Sequence, residues 1–73
     1  MALAAVVSDR AWYAIDVYQL VGTKLHKLVR KGPFEANPTQ ARAVRADTLR
    51  EHPDREIRGY VYDQHQMRWV KWP

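Results

Sequence analysis

One stretch, Asn37 to Pro53, restricts the fold of this chain more than any other. Asn37 is a favoured helix N-cap, Pro38 suits the first helical position, and Gln40 stands where a capping-box side chain reaches back. Pro53 cannot continue a helix and pushes His52 out of the helical region. A helix is thus bracketed at both ends, and the rest of the chain must be organised around it. On its wheel Ala41, Val44, Thr48 and Leu49 share one side at i, i+3, i+7 and i+8 spacing. The stripe is thin and its middle residues are small, which lets a helix lie close on a sheet. Arg45 falls inside the stripe, either as a stem snorkelling over apolar neighbours or as the helix edge where a partner docks.

The flanks of this helix read as strands. Ala11–Leu20 is rich in aromatic and β-branched residues, Gly22-Thr23 supplies a type II′ hairpin turn, and Leu25–Lys31 returns. A two-residue loop pairs Leu20 with Leu25, Tyr18 with Lys27, Val17 with Leu28 and Ile15 with Arg30. Tyr13, Ile15, Val17 and Leu28 then share one face. Trp12, Asp16, Tyr18, Lys27 and Lys31, with Leu20, Leu25 and Val29, share the other. Gly32–Ala36 is a linker in which Phe34 pins the helix entrance.

After the helix, Glu56–Tyr62 and Met67–Trp72 form a second hairpin around the polar turn Asp63–Gln66. The expected pairs are Tyr62 with Met67, Tyr60 with Trp69 and Arg58 with Lys71. Ile57, Gly59, Val61, Val70 and Trp72 lie on the opposite face, where Gly59 leaves room for the helix. A right-handed crossover through the helix leaves space for the first strand between the second and third. The expectation is a small α+β domain of order ββαββ. Its four-stranded antiparallel sheet has order 2-1-3-4, with one helix packed on one face. Residues 1–73 form one domain, with residues 1–10 as a candidate arm or edge segment.

Composition narrows the function classes. A domain of 73 residues buries only about 60% of its unfolded surface, so its core is small. Without cysteine there is no disulfide framework and no cysteine-based zinc site. Met1–Val7 is too short for a membrane span and lacks the charged start of a secretory signal, which points to a soluble, cytoplasmic protein. That segment can equally be an edge strand, a helical turn or an oligomer contact. Twelve Lys and Arg against eight Asp and Glu give a net charge of +4, a tilt toward acidic or polyanionic partners.

No reactive constellation is legible. His26, His52 and His65 lie on separate elements without metal-ligand spacing. Ser8 is the only serine and has no His–Asp pair near it in sequence. Asp16, Asp47, Glu51, Asp54 and Asp63 form no acid–base pair, and Gly22, Gly32 and Gly59 stand too far apart for a phosphate loop. The expectation is a non-enzymatic protein with no cofactor, no metal and no small-molecule substrate.

What remains is the sheet face away from the helix. Arg58, Tyr60, Tyr62, Trp69 and Lys71 gather there beside Trp12, Tyr18, Lys27 and Lys31, with Arg45 at the helix edge. Such a face fits a protein-interaction or self-association surface, the latter through this face, an edge strand or Met1–Val7. It also fits nucleic acid, whose bases stack on rings and whose phosphates meet cations. Protein recognition or homodimerisation is favoured, because only charge and aromaticity speak for a nucleic acid. The Ala-, Arg- and Asp-rich composition suits a small phage or bacterial accessory protein.

Gly32-Pro33-Phe34 ahead of an alanine-containing helix, followed by a Tyr60-Val61 strand, resembles half of a sporulation-related peptidoglycan-binding repeat. The resemblance covers Gly32 to Tyr62 without the second half of the repeat, and implies no site residue.

Overall fold

A computed structural model describes residues 9–73. The helix α1 (Pro38–Glu51) is bracketed as its sequence requires. The Asn37 side chain accepts from the Gln40 N–H at 2.8 Å, and the Gln40 side chain accepts from the Asn37 N–H at 3.1 Å. At the far end the His52 N–H closes on the Thr48 carbonyl at 2.9 Å, and Pro53 follows. Around the helix lie β1 (Ala11–Val21), β2 (Lys24–Ala36), β3 (Glu56–Asp63) and β4 (Arg68–Trp72). They form one sheet of order β2-β1-β3-β4, antiparallel throughout, with α1 on one face. Met1–Val7 lies outside the described residues.

Register is where the hairpins depart from expectation. Gly22 takes the left-handed φ of +65° that the turn needs, and Leu20–Leu25 and Tyr18–Lys27 pair as the short loop dictates. A bulge then inserts Leu28, so Val17 meets Val29 and Ile15 meets Lys31. Lys31 therefore leaves the open face and reaches Glu51 of α1 at 2.8 Å, while Arg30 takes its place opposite Asp16. A second bulge holds Gly32 and the cis-linked Pro33, after which Phe34–Ala36 continue as strand rather than linker.

In the second hairpin the four-residue loop sits one residue later than expected. Asp63 is its cause, for its carboxylate accepts the N–H groups of His65 at 2.8 Å and Gln66 at 3.1 Å. Those donors, Gln66 first, hold the Asp63 carboxyl below its usual range. Tyr62 now faces Trp69, Tyr60 faces Lys71 and Gly59 faces Trp72. The slip is an even one, so each side chain keeps its face.

The core lies between α1 and the sheet. Tyr13, Ala36 and Ala41 are buried together, with Ala11, Phe34, Val61 and Trp72 packed against them. Tyr13 stacks on Phe34 at 6.1 Å and meets Trp72 edge-on at 4.9 Å between ring centroids. Thr48 is fully buried and donates its hydroxyl to the Val44 carbonyl at 2.7 Å. Leu49, expected in the packing stripe, is 45% exposed; Ala41 and Thr48 are the buried positions of α1, with Val44 and Arg45 half-buried beside them. Gly59 makes room not for the helix but for Trp72, since a Cβ there would lie 2.8 Å from the indole Cε3.

β3 pairs with β1 only over Tyr13–Tyr18, so the tip of the first hairpin projects beyond the helix-covered body. The molecule measures 60 × 27 × 16 Å along its principal axes. Leu20, Val21 and Leu25 are exposed on the tip, and Leu28 and Val29 on the outer edge beside it. No helix among the described residues is long and apolar enough to cross a membrane.

Two glycines with positive φ separate strain from crowding. Gly22 has nothing within 4 Å of a built Cβ, whereas at Gly32, with φ +110°, the Cβ would lie 2.8 Å from the Tyr13 carbonyl oxygen. Gly22→Ala is expected to cost about 1 kcal/mol, the ordinary penalty of the left-handed region. Gly32→Ala should cost at least about 2–3 kcal/mol, because the backbone of the central strand must move. Urea unfolding of the two variants checks this, and equal midpoints would contradict it.

Candidate functional site

Among the described residues the face of the sheet away from α1 carries no second layer, and the observed register arranges it in transverse rows. At the tip Leu20 pairs with Leu25. Next come Lys27, Tyr18 and Glu56, then Arg30, Asp16 and Arg58, then Ala14, Tyr60 and Lys71. Beyond the last β1–β3 pair, Tyr13 with Val61, the face carries Trp12, which pairs with Glu35 of β2, and Tyr62, which faces Trp69 of β4. The face therefore runs from apolar tip through a charged middle to an aromatic end.

Asp16 is the hub of the charged middle. Its side chain is only 1% exposed, although it stands on the uncovered face. Arg30 donates to it through two nitrogens, Nε at 2.6 Å and Nη2 at 2.9 Å. Lys27 Nζ lies 3.2 Å away and the Tyr18 hydroxyl donates at 3.3 Å. Arg30 does most to hold the Asp16 carboxyl below its usual range; burial works against this and Lys27 adds to it. Burial, then the neighbouring Tyr60 and Asp16, push the Tyr18 hydroxyl up to about 12, so it keeps its proton as a donor. Arg58 sits 5.1 Å over the Tyr18 ring and pairs with Glu56 at 2.6 Å. Three of the four cations on this part of the face are thus already engaged; Lys71 has no ion pair among the described residues.

At the aromatic end the Tyr62 and Trp69 rings meet edge-to-face, with centroids 5.5 Å apart. Trp12 and Trp69 are 45% and 36% exposed, and no described residue covers them as a layer. At one corner the face turns into a groove of about 430 Å³ whose walls include Arg45, Arg58, Lys71, Tyr60 and Trp72.

Of the residues expected on this surface, Trp12, Tyr18, Lys27, Arg58, Tyr60, Tyr62, Trp69 and Lys71 share the open face. Lys31 is on the other side, tied to α1, and Arg45 lies over Trp72 at the groove, 5.8 Å from the ring centroid. Arg30 belongs to the site and was not expected there. A signal for it existed in Asp16, a lone carboxylate inside an aromatic and β-branched strand. Such a group needs a cation from the returning strand, and Lys27, Arg30 and Lys31 are the choices.

Among the described residues no three His, Cys, Asp or Glu side chains gather to hold a metal ion. Comparison with protein-family models, curated proteins and solved structures returns no match, and none supports the partial peptidoglycan-repeat resemblance.

The depressed Asp16 carboxyl makes stability pH-dependent. A carboxyl bound more weakly by its proton when folded contributes stability above its unfolded pKa, near 3.8, and loses it as pH falls through the folded value. Asp16→Asn is expected to cost about 1–2 kcal/mol at neutral pH, since Arg30 and Lys27 can turn partly to water. It should also flatten the acid limb of the stability–pH curve. Urea midpoints between neutral pH and the acid range test this; an unchanged acid limb in the variant would refute it.

Proposed function

We propose that the protein is a non-enzymatic binding module that recognises another protein, or a second copy of itself, through the open sheet face. The observation that supports this most is the exposure of Trp12 and Trp69, with Tyr62 half-buried against Trp69, on a face that no described residue covers as a second layer. Large rings left half in water beside ordered polar groups are the make-up of interface hot spots. The state of the cations favours a protein over a nucleic acid. Lys27, Arg30 and Arg58 already neutralise Asp16 and Glu56, which leaves few charges for phosphates. A partner protein asks instead for satisfied, fixed polar groups around an aromatic anchor.

Self-association is the form of this proposal that needs no unknown partner. Sedimentation of the purified protein at tens of micromolar is expected to show a dimer. Trp12→Ala and Trp69→Ala should each weaken it by about 2 kcal/mol or more, with little dependence on salt. Met67→Ala, on the turn and 77% exposed, should leave it unchanged. A different outcome would transfer the face to nucleic acid: a monomer that binds single-stranded oligonucleotide steeply less as salt rises, with Trp69→Ala costing ~1–3 kcal/mol of that binding.

A further inference from the structure

The corner groove brings together cations from three elements that approach it from both faces of the sheet. Lys71 of β4 and Arg58 of β3 come from the open face, and Arg45 of α1 comes round from the helix side. Trp72 makes this possible. It lies against Gly59, where any Cβ would collide with it, and offers its ring to the Arg45 guanidinium at 5.8 Å. Glu56 is the only acidic side chain among the described residues that line it, and it pairs with Arg58; Pro73 lines it as well. Counted over side chains, three cations less one carboxylate leave two positive charges in the groove. Arg45 and Lys71, one from each face, have no anionic partner among the described residues.

We infer that this groove seats the carboxylate of an Asp or Glu side chain carried on an extended segment of the partner protein. The inference rests on the protein-binding reading of the open face and names what the partner brings to its edge. Arg45 is half-buried beside an indole, where a charge is less screened than in open water. Ile57, Tyr60 and Trp72 supply apolar walls for the methylenes and neighbours of the acidic residue. The walls come from strands and from the middle of α1. A helix N-terminus or a nest of backbone N–H groups, the usual cradles of phosphate, is not among them. A side-chain carboxylate between two cations matches what is there.

The test is a titration of the ¹⁵N-labelled full chain with an acetylated, amidated Val-Glu-Val peptide, its Val-Gln-Val counterpart, and inorganic phosphate. The glutamate peptide should move the amide signals of Gly59 and Tyr60 and the indole N–H of Trp72, with millimolar affinity. Arg45→Gln or Lys71→Gln should each lower that affinity on the order of threefold, as removal of one exposed charge does. Salt at about 1 M, where screening reaches ~3 Å, should abolish it. Lys71 is exposed, so its variant keeps the test valid if Arg45→Gln alters packing on Trp72. Equal binding of the glutamine peptide, stronger binding of phosphate, or indifference to both substitutions would overturn the inference. Trp12 and Trp69 lie outside the groove, so their effect on association is read independently and a failure of one reading does not pass for a failure of the other.

Discussion

A carboxylate buried in the middle strand of a one-layered face is the constraint on which this structure depends. Asp16 sits where water should reach it, yet Arg30, Lys27 and Tyr18 close over it and leave it 1% exposed. A buried charge is tolerable only when its oxygens are fully partnered, and here each oxygen receives a nitrogen of Arg30. The pairing fastens β2 to β1 from the open side, and Lys31 fastens β2 to α1 through Glu51 from the other. Neighbouring residues of one strand thus clamp both faces, and the extra residue at Leu28 sets which of them faces Asp16.

The same bulge shows why part of the fold was legible in the sequence and part was not. Asn37, Pro38, Gln40 and Pro53 act within a few residues of themselves, so the helix ends could be read directly. Strand order followed from the short hairpin loops and the handedness of the crossover. The register beyond Tyr18 could not be read, because nothing in Lys27-Leu28-Val29 marks which residue the ladder will skip. Leu49 misled for a similar reason. Its helical spacing is sound, but Leu49 stays 45% exposed and Thr48 takes the inward place.

The candidate surface was legible where it depended on alternation alone. Tyr60, Tyr62, Trp69 and Lys71 kept their face because the second hairpin slipped by an even step. Lys31 and Arg30 exchanged sides because the first hairpin slipped by an odd one. Arg45 was recognisable as anomalous in its stripe, while its seat over Trp72 needed the pairing of Gly59 with Trp72, which sequence spacing does not reveal.

The irregularities of β2 have a consequence for how the molecule behaves in a crowded solution. β2 is a 13-residue edge strand with a full row of backbone groups along its outer side. A long straight edge of that kind recruits other chains into growing sheets. Here the bulge at Leu28 and the Gly32-Pro33 irregularity break the row twice, so a copy that tries to align with it meets an interrupted ladder. The strand that carries the exposed Leu25, Leu28 and Val29 is therefore poorly suited to seed aggregation.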